Sequence, residues 1–326
     1  MSDNNQVSAS NIVWIIIGAL TLITNSVILA FLLSQRSLRR PPYIALYSLL
    51  INDIAFAVAY VLPYYSNRPL QLEIPNWCIL LPRIGQSLFL NMALHICFLA
   101  MIRSIQINRP FRAIEIVTRR NVLSICTILW LCSLLLVFIS AINVDRLQIE
   151  HNHTLNCSQQ FIITNDIELT YSLIILIISL FVLLFLCAVY YRILAVIDYH
   201  MKKTALRSSM TDITIKDRIS KFINKRKAVR QALCVFSLYL IFLGPFLITL
   251  GLSYIKPLYN AVMTVYPSFR FLAFCYPIVL PFIYIAFDNE IRNAIYKRVS
   301  RKSDNQNTPT TDQTLNECNL TNILSY

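Results

Sequence analysis

Seven apolar stretches alternate with polar sequence along the chain, at about 12–33, 43–63, 79–103, 122–143, 169–195, 228–252 and 263–286. A helix crosses a hydrocarbon core of about 30 Å with roughly 20 residues, at ~1.5 Å each. Every stretch meets that length, and polar or proline-containing sequence follows each one. The first ten residues are polar and carry no basic region, so they do not read as a cleavable leader. The first stretch is therefore expected to stay in the membrane. The pattern predicts an all-α integral membrane protein, a seven-helix bundle over 12–298. An N-terminal segment 1–11 precedes it, and a tail 299–326 follows, rich in Asn, Thr, Asp and Gln and expected to be disordered. The third inner loop, about 196–227, holds no sustained apolar run, although Lys225, Arg226, Lys227 and Arg230 are expected to extend the sixth helix.

Composition and charge give the bundle an orientation. Charged residues make up 14% of the chain, against about 25% in soluble proteins. The net charge of +13 is not spread evenly. Of the 29 Lys and Arg, 24 lie in the segments after the first, third, fifth and seventh stretches, and 3 in the opposite segments. That bias places the N-terminus outside and the C-terminus inside, in a multi-pass plasma-membrane protein. The basic loops then set topology and touch acidic lipid headgroups, and nucleic acid is not an expected partner. The 4 glycines are too few for a transporter built on broken, close-packed helices. Nor do several helices carry the polar faces of a channel.

Chemistry is sparse. There is no His-Glu-x-x-His, no phosphate-cradling glycine loop and no Cys-x-x-Cys, and no serine in a stretch has a base to activate it. Neither catalysis, nor a metal, nor a cofactor is expected. Cys78 opens the third stretch and Cys157 lies in the long second outer segment, on the side expected to be oxidising. They stand there either as free thiols or, as favoured, as a bridge pinning that segment over the bundle mouth and constraining the unfolded chain by roughly 4–5 kcal/mol. Cys97, Cys126, Cys132, Cys187, Cys234 and Cys275 fall within stretches and read as small core residues. Asn152-His153-Thr154 and Asn156-Cys157-Ser158 are outer glycosylation sequons.

A set of residues then falls in a recognisable order. Asn25 lies in Thr24-Asn25-Ser26-Val27, and Asp53 follows Leu49 by four. Trp77 and Cys78 open the third stretch, and Arg103 precedes Pro110 by seven. Trp130, Tyr190, Pro245 and Pro281-Phe282-Ile283-Tyr284 follow. Over roughly 12–298 the chain resembles a divergent rhodopsin-like (class A) G-protein-coupled receptor. The resemblance implies that a ligand makes the sixth helix pivot near Pro245. Asn25, Asp53, Arg103, Tyr190, Pro245, Pro281 and Tyr284 then serve as switch and coupling residues toward a heterotrimeric G protein. It further implies an amphipathic helix over 287–295. From composition alone, Thr308, Thr310, Thr311 and Thr314 are candidate phosphorylation sites that would recruit an arrestin. The chain also departs from the pattern. Ile102 replaces the acid beside the arginine, Ser104 its tyrosine, and Lys225 lies where an acid on the sixth helix is expected. Arg103 is thus predicted to be untethered, with raised ligand-free signalling. Val182, Leu243 and Leu280 replace further family residues. With Met92 and Leu280 in place of polar ligands, Asp53 is expected to hydrogen-bond Asn25 and water and to bind sodium weakly or not at all.

Charges inside a crossing helix cost ~2.5–3.5 kcal/mol or more unless paired or wet, so each marks candidate function. Arg83 and Arg270 are expected to face the outer half of the bundle and favour a ligand carrying a carboxylate or other anion. The competing reading pairs them with Glu73, Asp166 or Glu168. Gln86, Phe89, Phe246, Tyr266 and Phe269 are candidate pocket walls. The amine-receptor aspartate would fall at Gly85 and the retinal-binding lysine at Phe274, which argues against both ligands. An extracellular ligand remains, with a peptide favoured and a chemosensory small molecule as the alternative. A transporter or channel is the competing class.

Overall fold

The computed structural model describes the backbone of residues 2–35, 38–66, 75–150, 166–207, 213–253, 255–288 and 290–297. Side chains are described within 11–35, 38–65, 80–139, 173–196, 233–288 and 290–297, apart from 110, 254 and 256. Cys157, Asn152, Asn156 and the tail threonines lie outside the described residues, as do the side chains of Cys78, Trp77, Glu73, Asp166, Glu168 and Lys225.

Among the described residues, seven helices are long and apolar enough to cross a membrane: Asn11–Ser34, Pro41–Tyr65, Leu80–Asn108, Arg119–Ile139, Leu173–Val196, Leu233–Leu252 and Tyr259–Phe287. An eighth, short helix covers residues 290–297. The first three helices and the fourth pack in sequence order, as do the fifth, sixth and seventh; the first closes on the seventh, and the third also touches the fifth and sixth. Regular helix is the way such segments satisfy their own N–H and C=O groups in lipid. Several helices run on past their apolar stretch. The fifth spans Asp166–Arg207 and the sixth Ile213–Leu252, so the polar segment read as a loop at 196–227 is helical on both flanks. Hydropathy ends at the membrane surface, whereas backbone hydrogen bonding does not.

Prolines shape the bundle. The second helix widens into a π-helical segment at Ala57–Val61, just before Pro63. A proline cannot donate to the carbonyl four residues back and its ring crowds that carbonyl, here Ala59, so a wider turn relieves the conflict. In the seventh helix Pro281 likewise leaves the Pro277 carbonyl without its helical donor. The Asn25 side chain supplies the missing donor, with Nδ2 3.1 Å from the Pro277 oxygen and 2.8 Å from that of Thr21. Asn25 was expected to hydrogen-bond Asp53. The structure corrects this: the amide donors serve two carbonyls, and neither Asp53 oxygen has a hydrogen-bond partner among the described residues.

The core is one large apolar cluster through the middle and the half that holds Tyr284, termed inner for the orientation expected from charge, and a second, aromatic one at the opposite end around Trp14 and Phe274, termed outer. A polar layer sits between packed helices. The His95 ring accepts from Ser48 Oγ through Nε2 at 2.8 Å and donates through Nδ1 to the Asn91 carbonyl at 2.8 Å. The Trp130 indole donates to the same Ser48 oxygen at 3.0 Å. Asn91 donates to Asn52, and Asn52 to the Leu88 carbonyl. One hydroxyl thus ties the second, third and fourth helices together. Ser48→Ala is expected to cost about 1–3 kcal/mol, since interhelical hydrogen bonds in membranes are worth about 0.6 kcal/mol each and a buried ring nitrogen is left unpaired. Thermal unfolding in detergent measures this. Ser48→Ala/His95→Leu should recover part of the loss, because both polar partners are then gone.

The fourth helix presents Leu131, Leu134, Leu135 and Phe138 outward, and the fifth presents Ile177, Phe181 and Leu184. Such apolar faces suit lipid, not water. Cys132 lies on the exposed side, which corrects its reading as a core residue, while Cys97 and Cys126 are buried. The fourth helix packs chiefly through a narrow face against the second and third, leaving most of the described residues of its span outside the bundle.

Candidate functional site

Chemistry-bearing side chains gather at the two ends of the bundle. At the outer end the seventh helix places Arg270 among rings. Its guanidinium lies 5.1 Å from the Trp14 ring, 5.9 Å from Tyr65 and 5.7 Å from Tyr266. Trp14 stacks on Tyr65 at 4.9 Å. The faces of these rings are electronegative and stabilise the cation where water is scarce. The Arg270 Nε is buried without a hydrogen-bond partner, and no carboxylate pairs with Arg270 among the described residues. From Tyr266 the rings continue to Phe246 at 5.7 Å and on to Phe89 at 5.6 Å. Four of the candidate wall and charge positions therefore form one series, Phe89–Phe246–Tyr266–Arg270. Gln86 stands apart from that series, holding Arg83. Arg83 is 3% exposed, and its guanidinium donates to Gln86 Oε1 at 2.9 Å, one turn along the same helix. Phe269 is half-buried, and among the described residues no ring contact ties it to the series.

Gly85 explains part of this layout. A Cβ built there would lie 2.6 Å from the Tyr60 ring. Tyr60, swung by the π-helical segment, occupies the place a side chain at 85 would take. Its ring meets Phe56, Tyr64 and Phe274 at 5.5, 5.5 and 5.9 Å.

At the inner end Arg103 faces a cleft of about 130 Å³ lined by Arg40, Tyr43, Leu99, Gln106, Tyr284 and Glu290 among others. Arg103 was expected to lack an acidic tether, and the structure corrects this. Its Nη2 lies 3.1 Å from Asp288 Oδ2, with the side chains 26% and 6% exposed. The acid comes from the link between the seventh and the short helix, and position 102 holds an isoleucine. Ile102 is buried beside the cleft. Tyr190 is buried and stacked on Phe236 at 4.4 Å. Leu243, two residues before Pro245, is fully buried. Beyond the third helix, the short helix Pro110–Ile116 leaves Phe111 and Ile114 88% and 80% exposed, between Arg109, Arg112, Arg119 and Arg120.

Three positions escaped sequence reasoning. Asp288 carries a local signal, an acid at the start of a helix just after an apolar run. Trp14 and Tyr60 carry none, because aromatic residues in a crossing helix are usually packing.

A seven-helix membrane bundle with an arginine at the inner end of its third helix defines the class, that of a multi-pass membrane receptor. Residues 24–284 match the family described as 7 transmembrane receptor (rhodopsin family). The chain belongs to that family. The crystal structure of squid rhodopsin superposes with a TM-score of 0.71 at 17% identity, covering 90% of this chain and 85% of that one, a likeness of fold. No curated protein matches this chain in sequence.

Proposed function

We propose that the chain is a plasma-membrane receptor, N-terminus outside, that binds an extracellular peptide through an anionic group and activates a heterotrimeric G protein. The observation that carries the ligand reading is Arg270, a half-buried cation among rings whose Nε is buried and which has no carboxylate partner among the described residues. A ligand carboxylate would complete a charge pair that none of the described residues supplies. Tyr60 over Gly85 speaks against a ligand bound at that position of the third helix. Toward the inside, the Arg103 cleft and the exposed Phe111 and Ile114 among arginines suit a partner with an apolar and acidic face. The Cys78–Cys157 bridge, sugars on Asn152 and Asn156, and arrestin recruitment by the tail belong to the same proposal.

The test is GTP loading of a co-expressed promiscuous G protein under a panel of neuropeptides. Loading by a peptide, lost when its acidic group is amidated, is the expected result. Loading only by small organic anions would assign a chemosensory receptor instead. No ligand-dependent loading under either panel would overturn the coupling.

A further inference from the structure

We propose that Arg103 and Asp288 form a resting latch between the third helix and the short helix 290–297, standing in for the acids missing at Ile102 and Lys225. The proposal rests on the G-protein reading above.

Asp288 is positioned from several directions at once. The seventh helix ends at Phe287, and Asp288 turns to an extended conformation at φ −84° and ψ 112°. Its Oδ1 accepts from the backbone N–H groups of Glu290 and Ile291 at 3.0 and 3.3 Å, capping the short helix. The same oxygen accepts from the Tyr43 hydroxyl at 3.0 Å. A carboxylate at a helix N-terminus is favoured by the free N–H groups and the helix dipole. Oδ2 is left to face Arg103. One acid therefore divides its two oxygens: one builds the short helix, the other holds the arginine. At 6% exposure the carboxylate is shielded from salt and water, so the pair is stronger than a surface ion pair.

Tyr43 extends the assembly. Its hydroxyl also lies 3.3 Å from Glu290 Oε2, and Arg40 pairs with Glu290 at 2.9 Å. Both side chains of that outer pair are largely exposed, and such pairs contribute little. The Arg103–Asp288 contact spans helices from the cleft wall. It fastens the third helix to the junction of the seventh and the short helix. Pivoting of the sixth helix alone would leave the latch closed. Arg103 becomes available to a partner only when the seventh-helix junction shifts relative to the third helix, a two-position element that a ligand can bias.

The experiment uses the full-length receptor. Asp288→Asn keeps an oxygen for the cap and for Tyr43 but removes the charge that holds Arg103. Ligand-free GTP loading of a co-expressed promiscuous G protein, corrected for surface amount, is expected to rise roughly tenfold over wild type. Tyr43→Phe, which leaves the acid in place but loosens it, should give a smaller rise of about twofold. It also stands in for Asp288→Asn should that variant fail to reach the surface. A thermal-unfolding cycle of Arg103→Gln, Asp288→Asn and the pair reads the contact without any G protein, and the double variant should melt no lower than the weaker single. Additive melting shifts would overturn the latch. So would Asp288→Asn output, or Tyr43→Phe output in its place, equal to wild type while wild type exceeds empty membrane. A coupled melting cycle with every variant at the empty-membrane level would overturn the G-protein reading, and with it the latch as a brake.

Discussion

Arg270→Ala is expected to abolish the response to an anionic ligand while the receptor still reaches the surface. The ring faces of Trp14, Tyr65 and Tyr266 hold the guanidinium, but they do not neutralise it. A ligand carboxylate would do so with charge-assisted hydrogen bonds worth about 1.5–3 kcal/mol, which is roughly a 10- to 100-fold change in affinity. Removing a half-buried cation that no described carboxylate pairs relieves the fold of a desolvation cost, so surface expression should not fall. Arg270→Lys should recover little of the response. An ammonium is a compact, strongly hydrated charge that cannot lie flat against two rings or present a planar fork to a carboxylate. Dose–response curves in cells with matched surface labelling provide the measurement. Half-maximal concentrations within about twofold of wild type for Arg270→Ala would remove the anion from the ligand reading.

Gly85→Ala is expected to destabilise the bundle by about 1–3 kcal/mol, the usual range for overpacking. The added methyl would meet three Tyr60 ring carbons at 2.6 to 2.7 Å. Tyr60 has little room to retreat, because it is buried against Phe56, Tyr64 and Phe274. Gly85→Val should be worse. In contrast, Gly85→Ala in a Tyr60→Ala background should add almost nothing to the loss that Tyr60→Ala causes alone, since the clash and its partner vanish together. Melting temperatures of the four purified receptors decide this, and equal effects of Gly85→Ala in both backgrounds would show that the ring is not the obstacle.

What the chain reveals along its length and what it hides divide by the range of the physics involved. The seven spans emerged because transfer into lipid acts on each segment separately, and a run such as 169–195 is driven into the bilayer whatever its neighbours do. Pro245 and Pro281 could be placed for the same reason, since a proline disrupts its own helix wherever it lies. The extension of the fifth and sixth helices past the lipid was only half visible, because hydropathy says nothing once the chain leaves the apolar slab. Cys132 was misplaced because periodicity does not tell which face of an all-apolar helix meets protein. The fourth helix has apolar residues all round, and only its neighbours choose the buried side.

The site divides in the same way. Arg103 and Arg270 stood out because a cation in an apolar run is costly wherever the run is packed. Their partners did not. Asp288 is 185 positions from Arg103, and Trp14 lies on the first helix while Arg270 lies on the seventh. Nothing local links either pair, so no pattern along the chain can choose between Asp288, an acid elsewhere or none. Hydropathy and charge alone commit this chain to seven crossings and mark its arginines. Which groups those arginines meet is decided by packing, because helix ends and ring stacks acquire neighbours only once the bundle closes.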